Sequence, residues 1–169
     1  MPRPDLSRVP DYFHRYIAQT EGDDLNAILK KQAITFSSFL QSIPAGKYDF
    51  RYGPDKWTVK EVLQHIIDTE RVFAYRALCI ARGEQQPLPG FNEDEYAKNA
   101  PCADRKWSDM IEEFQAIRRS TELLFNSLDA ARLENSGIAS GKPVYVLGIG
   151  FILAGHVAHH LAILKERYL

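Results

Sequence analysis

The chain has 169 residues, 45% of them hydrophobic and 25% charged, a length and composition suited to one globular domain with a sizeable core. Its formal net charge of -1 supplies no field for a nucleic-acid backbone, and its two cysteines, Cys79 and Cys102, make neither a disulfide framework nor a zinc motif. Short basic clusters such as Arg118-Arg119 sit among acids and read as solvated helix faces.

Residues 1–21 hold three prolines with Tyr12, Phe13 and Tyr16, and read as an ordered arm packed over the rest. The opening MPRPDLSRVP has no apolar signal-peptide core, so the expected compartment is the cytoplasm, where thiols stay reduced.

A first helix is predicted from about Asp23 to Ser42. Asp23 or Asp24 caps it, Leu25, Ile28, Leu29, Phe36, Phe39 and Leu40 form its apolar face, and Pro44 and Gly46 end it. A second begins at Thr58, where Thr58 and Glu61 have capping-box spacing, and runs to about Arg82 before Gly83. Residues 83–104 form a long connection rich in Pro, Gly and acids, with a helical turn expected at 93–99. A third helix is predicted from about Lys106 to Leu128, with Met110, Phe114, Ile117, Leu124 and Leu128 inward. A loop is expected over 129–144, and a fourth helix from Val146 to Tyr168.

The fourth helix overlaps Val144–Leu164, a stretch without charge and long enough to span a bilayer. It also carries three histidines and three glycines, so the expected reading is the central helix of a bundle or a dimer face, with no membrane partner.

Four such helices imply an all-α four-helix bundle. The 22-residue connection is long enough to run back along a helix, because extended chain covers about 3.3 Å per residue and helix only about 1.5 Å. The second and third helices are therefore expected to lie parallel, joined by this crossover, with the fourth antiparallel to the second.

That topology sets a register for the histidines. His65 lies near the start of the second helix and His160 near the end of the fourth, at about the same height. His156 and His160 are four residues apart on one helix face. Three imidazoles so placed make a candidate site for one divalent metal with a position left open. Cys79 is excluded, lying fourteen residues and about 21 Å along the axis from His65. His14 has no partner signal. His159 points to one side of His156, as an outer group. Glu61 and Asp68 flank His65 and are candidates to orient a ligand imidazole, or else to form ion pairs with Arg71 or Arg76. With the mouth near the 43–57 loop, Tyr52, Trp57, Trp107 and Arg167 are candidate pocket residues, and Arg76 another. No catalytic group stands out beyond a metal-bound water.

Lys56–Leu78, KWTVKEVLQHIIDTERVFAYRAL, and Gly155–Leu161, GHVAHHL, resemble paired signatures of the DinB-like superfamily, and Pro87–Phe91 (PLPGF) in the crossover adds to the likeness. The resemblance implies an up-down-down-up four-helix bundle with a metal on His65, His156 and His160. It further implies a bacterial protein, a homodimer, and a metal-dependent hydrolase or a transferase using a low-molecular-weight thiol. Three neutral imidazoles suit zinc, nickel, iron, manganese or copper, and the pattern names neither metal nor substrate. The competing expectations are a non-catalytic dimeric bundle that binds metal or a small ligand, and a metal-free bundle whose histidines are buried hydrogen-bonders.

Overall fold

The computed structural model describes residues 1–169. The arm forms two 3-10 turns, Leu6–Arg8 and Asp11–Phe13, and one helical turn, α1 (His14–Ile17). His14 is spent locally, with Nε2 2.9 Å from the carbonyls of Leu6 and Val9.

Helix α2 (Leu25–Ser42) is capped by Asp24, whose side chain accepts from the Asn26 amide. Ile43 turns extended ahead of Pro44, which cannot continue a helix. Helix α3 (Val59–Ala81) opens with the full capping box: Glu61 N–H donates to Thr58 Oγ1 and Thr58 N–H to Glu61 Oε2. It stops where Gly83 adopts φ +87°, a conformation glycine takes without steric cost. The crossover contains α4 (Glu93–Asn99), capped by Asn92, at the predicted position. Helix α5 (Trp107–Asn126) follows.

The 129–144 segment is more ordered than expected. It forms a helical turn, α6 (Ala130–Leu133), then a hairpin of β1 (Ser136–Ala139) and β2 (Lys142–Tyr145) in the register Gly137↔Val144. Ser140 and Gly141 form a two-residue tip with φ +52° and +72°, the left-handed pair that a tight hairpin demands. Four-residue strands carry too little alternation to announce themselves in sequence. The crossover is tied to this hairpin: Leu88 N–H donates to Ile138 O, and Ser140 N–H to Leu88 O.

Helix α7 (Val146–Ile163) ends in a π-helical turn, Leu164–Tyr168. By length and composition Val146–Tyr168 could cross a membrane, but 67% of its apolar window is buried, packed against α1, α2 and α3. Gly155 permits the closest approach: a Cβ there would fall on the Tyr16 carbonyl.

Side-chain contacts fix the directions. Trp107 Nε1 donates to Leu40 O, and Phe36 meets Phe114, so α2 and α5 are antiparallel. Lys60 Nζ donates to Ala103 O just ahead of α5, and Glu70 meets Arg118 further along, so α3 and α5 are parallel. Gln32 Nε2 donates to Ala154 O, while a Cβ on Gly150 would meet Leu25, so α2 and α7 are parallel. The bundle is up-down-down-up, with α2 and α3 at opposite corners.

The apolar core is divided. One cluster gathers Leu25, Leu29, Phe73, Ile80, Phe125 and Phe151; the other gathers Phe36, Leu40, Leu63, Ile66, Phe114 and Leu164. Between them each of the four bundle helices, α2, α3, α5 and α7, places a polar group: Gln32, Glu70, Arg118 and His156. Arg118 is thus not on a solvated face. It is fully buried, while its neighbour Arg119 stays exposed and pairs with Glu122. Burying Arg118 also turns α5 so that Phe125 faces the core and Ile117 and Leu124 are only half-buried.

Candidate metal centre

Two antiparallel helices bring the three histidines together beside this polar layer. His65 comes from the first half of α3; His156 and His160 come from successive turns of α7. His156 Nε2 lies 2.9 Å from His65 Nε2 and 3.1 Å from His160 Nε2, and ligand atoms of all three residues lie within 4.8 Å of one another.

These nitrogens do not satisfy one another. A ring nitrogen carries one proton or one lone pair, so His156 Nε2 can complement one neighbour and not both. A cation that accepts three lone pairs resolves the mismatch. The 2.9 and 3.1 Å spacings are near the roughly 3.3 Å that would separate two nitrogens held about 2.0 Å from one tetrahedral metal.

The electrostatics agree. Burial pushes His65 down to about 4 despite the opposing Asp94, with His159 adding a smaller downward push. Burial, then His65 and His159, push His160 down to about 3. His156 is held well below its ordinary value by burial, then by the neighbouring imidazoles and Arg118. All three are neutral near pH 7, the form that ligates.

The cluster opens into a cavity of about 220 Å³. Trp57 forms one wall, its ring 4.7 Å from that of His65. The rest comes from the arm (Tyr12, Phe13, Tyr16), from α3 (Thr69, Phe73, Arg76), from the crossover (Phe91, Glu93), from Ser140 at the hairpin tip, and from Ile152 and Leu153. Burial above all holds the Tyr16 hydroxyl protonated, raising it to about 12.

Of the pocket residues expected from sequence, Trp57 and Arg76 line this cavity and three do not. Trp107 stacks on Tyr48 and is tied to Leu40. Tyr52 packs edge-on against Tyr168, and Arg167 lies over Tyr52. The cavity runs from the histidines toward the far end of α3, because Thr69, Phe73 and Arg76 follow His65 on the same helix face. That spacing was readable in the sequence; the contributions of the arm and hairpin were not, since they depend on tertiary packing.

The expected outer groups are engaged elsewhere. Glu61 closes the capping box, and Asp68 accepts from Gln64 and faces Arg71. His159 meets Tyr16 edge-on, with Nδ1 3.4 Å from Gln19 Nε2.

Fold and site together define an all-α bundle with a three-histidine donor cluster at the base of an aromatic cavity. The chain belongs to the DinB superfamily, whose family model matches residues 28–164. Among solved structures it resembles YfiT from Bacillus subtilis, described as a probable metal-dependent hydrolase with an unusual four-helix bundle topology. The TM-score is 0.70 at 16% identity, covering 98% of this chain and 90% of that one, a likeness of fold. Comparison with curated proteins finds no match.

Proposed function

We propose that the chain is a metal-dependent enzyme acting on a small molecule, with one divalent ion held by His65, His156 and His160. The observation that carries this is His156 Nε2 facing two imidazole nitrogens that it cannot both satisfy. The description of YfiT as a probable metal-dependent hydrolase supports it. Bound there, a divalent metal would lower the pKa of a water or thiol and polarise a substrate carbonyl.

The chain's own residues supply the rest. Trp57 and Tyr16 pack beside the histidine rings and form walls of the cavity around the reacting group. The protonated Tyr16 hydroxyl offers a hydrogen bond at the cavity wall. Cys102 is buried, its thiol pushed up to about 11 chiefly by burial, and no cysteine lines the cavity. Thiol chemistry at this site therefore requires a low-molecular-weight thiol cosubstrate; hydrolysis requires only water.

The test is elemental analysis of untagged protein, paired with turnover of electrophiles and esters with and without small thiols. One equivalent of metal in the wild type, lost in His156→Ala together with turnover, supports the proposal. Absence of metal after incubation with zinc or nickel, with unchanged stability in His156→Ala, overturns it.

A further inference from the structure

At the end of the cavity away from the histidines lies a cation without an anion. Arg76 is 5% exposed and lines the cavity wall. Its hydrogen bonds go from Nη2 to two neutral acceptors, Pro89 O at 2.8 Å and Ser140 Oγ at 2.9 Å. Its guanidinium also lies over the rings of Phe73 and Phe91, at 5.0 and 5.7 Å. No carboxylate pairs with it. Glu93, the single acid on the cavity wall, is exposed on α4 and makes no ion pair with it. Burial alone lowers the Arg76 pKa, with no neighbouring charge offsetting it.

A buried charge is costly unless an opposite charge meets it. The other buried arginine of this bundle, Arg118, has its carboxylate. Two neutral acceptors would tie the crossover to the hairpin equally well through a neutral donor, so the charge itself calls for a partner from outside. Nε and Nη1 are uncommitted. Because Ser140 Oγ accepts from Arg76, its own hydrogen is free to donate as well. Serine there adopts φ +52°, where glycine, asparagine or aspartate is the usual choice, so its side chain is placed against the backbone's preference.

We infer that Arg76 and Ser140 form the anion-recognition end of the cavity, taking the carboxylate of an elongated, partly aromatic or apolar acid whose other end reaches the three histidines. The inference rests on the proposed function for the identity of the reacting end, but not for the carboxylate site. Arg76 follows His65 by eleven residues, about 16 Å along the axis, and arginine in a helix leans back toward the N-terminus. The two ends therefore suit a molecule longer than a single ring. Phe73 and Phe91 flank the guanidinium and fit the apolar body next to the carboxylate.

The probes are benzoate and the neutral benzyl alcohol, titrated by calorimetry into protein stripped of metal and into zinc-loaded protein. In stripped wild type, benzoate is expected to bind at least tenfold more tightly than benzyl alcohol. Arg76→Gln should abolish that preference, and Arg76→Lys should keep part of it. Zinc stoichiometry should be unchanged in both variants. Equal binding of the two probes to stripped wild type overturns the inference, and this result needs no variant to fold. A preference that survives Arg76→Gln and disappears on stripping places the anion on the metal, overturning the inference and leaving the proposed function standing. An Arg76-dependent preference in a protein that takes up no zinc upholds the carboxylate site and overturns the metal reading.

Discussion

Arg118 Nη2 and Glu70 Oε2 stand 2.8 Å apart inside the bundle, with side-chain exposures of 0% and 1%. They join α5 to α3 at the level where the apolar core divides. The pair is incompletely satisfied: Glu70 Oε1 and Arg118 Nε have no partner, although Gln32 Oε1 accepts from Arg118 Nη1. Replacing Arg118 by Met alone leaves a buried carboxylate unpaired. Chemical denaturation should show a loss of roughly 3–5 kcal/mol. The double replacement Arg118→Met with Glu70→Leu should recover most of it. A double variant no more stable than Arg118→Met would show that the pair itself favours folding.

The same pair shows where sequence reading stops. Helix positions, the capping box, the crossover and the parallel packing of α3 and α5 follow from local patterns and chain length, and all are present. The histidine trio was legible because helical spacing and antiparallel register are arithmetic. Arg118 was not, because a charge beside another charge in sequence looks solvated, and its partner lies 48 residues away on another helix. Ser140 and the arm aromatics escaped for the same reason: only the folded hairpin and α1 carry them to the cavity. Tyr52, Trp107 and Arg167 lie toward the nearer end of α3, whereas the cavity follows Thr69, Phe73 and Arg76 the other way, a direction that loop lengths do not encode.

Gly155 lets α1 rest on α7 beside His156. An alanine Cβ there would fall on the Tyr16 carbonyl and lie 2.9 Å from the Ile17 amide nitrogen, both backbone atoms that cannot rotate away. Gly155→Ala should therefore lift the arm, lowering stability by roughly 1–3 kcal/mol. Because Tyr16 lines the cavity, the variant should also expose residues 1–21 to limited proteolysis. Unchanged melting and unchanged cleavage would mean that the arm does not depend on this contact.

Four positions, His65, His160, His159 and Glu61, should separate cleanly in metal binding. His65→Ala and His160→Ala each remove one of three convergent nitrogens and should lower zinc affinity by far more than tenfold. His159→Ala disturbs the Tyr16 contact but leaves the donors in place, so it should retain one equivalent. Glu61→Ala should also keep the metal while costing about 1 kcal/mol of stability through the lost cap. Competition titration against a chromogenic chelator measures all four. Equal losses in His159→Ala and His160→Ala would break the assignment.

The seam between α3 and the start of α5 predicts how stability depends on pH. Glu113 is met by Arg71 at 2.5 Å and by Arg105. Burial raises its pKa, but the hydrogen bonds and charges of the two arginines outweigh that and hold it below its ordinary value of 4.5. The folded protein therefore binds the proton less readily than the unfolded chain. The stabilisation is full above about pH 4.5 and is lost as the pH falls through the folded pKa. Asp68 on the same seam has the opposite sign. Burial above all raises its pKa despite Gln64 and Arg71, so ionising it favours unfolding as the pH rises. Urea unfolding from about pH 3 to pH 7 should show wild type and Glu113→Gln converging toward acid, and Asp68→Asn gaining on wild type toward neutrality. A constant gap between wild type and Glu113→Gln across that range would show that the arginines do not select the ionised form of Glu113.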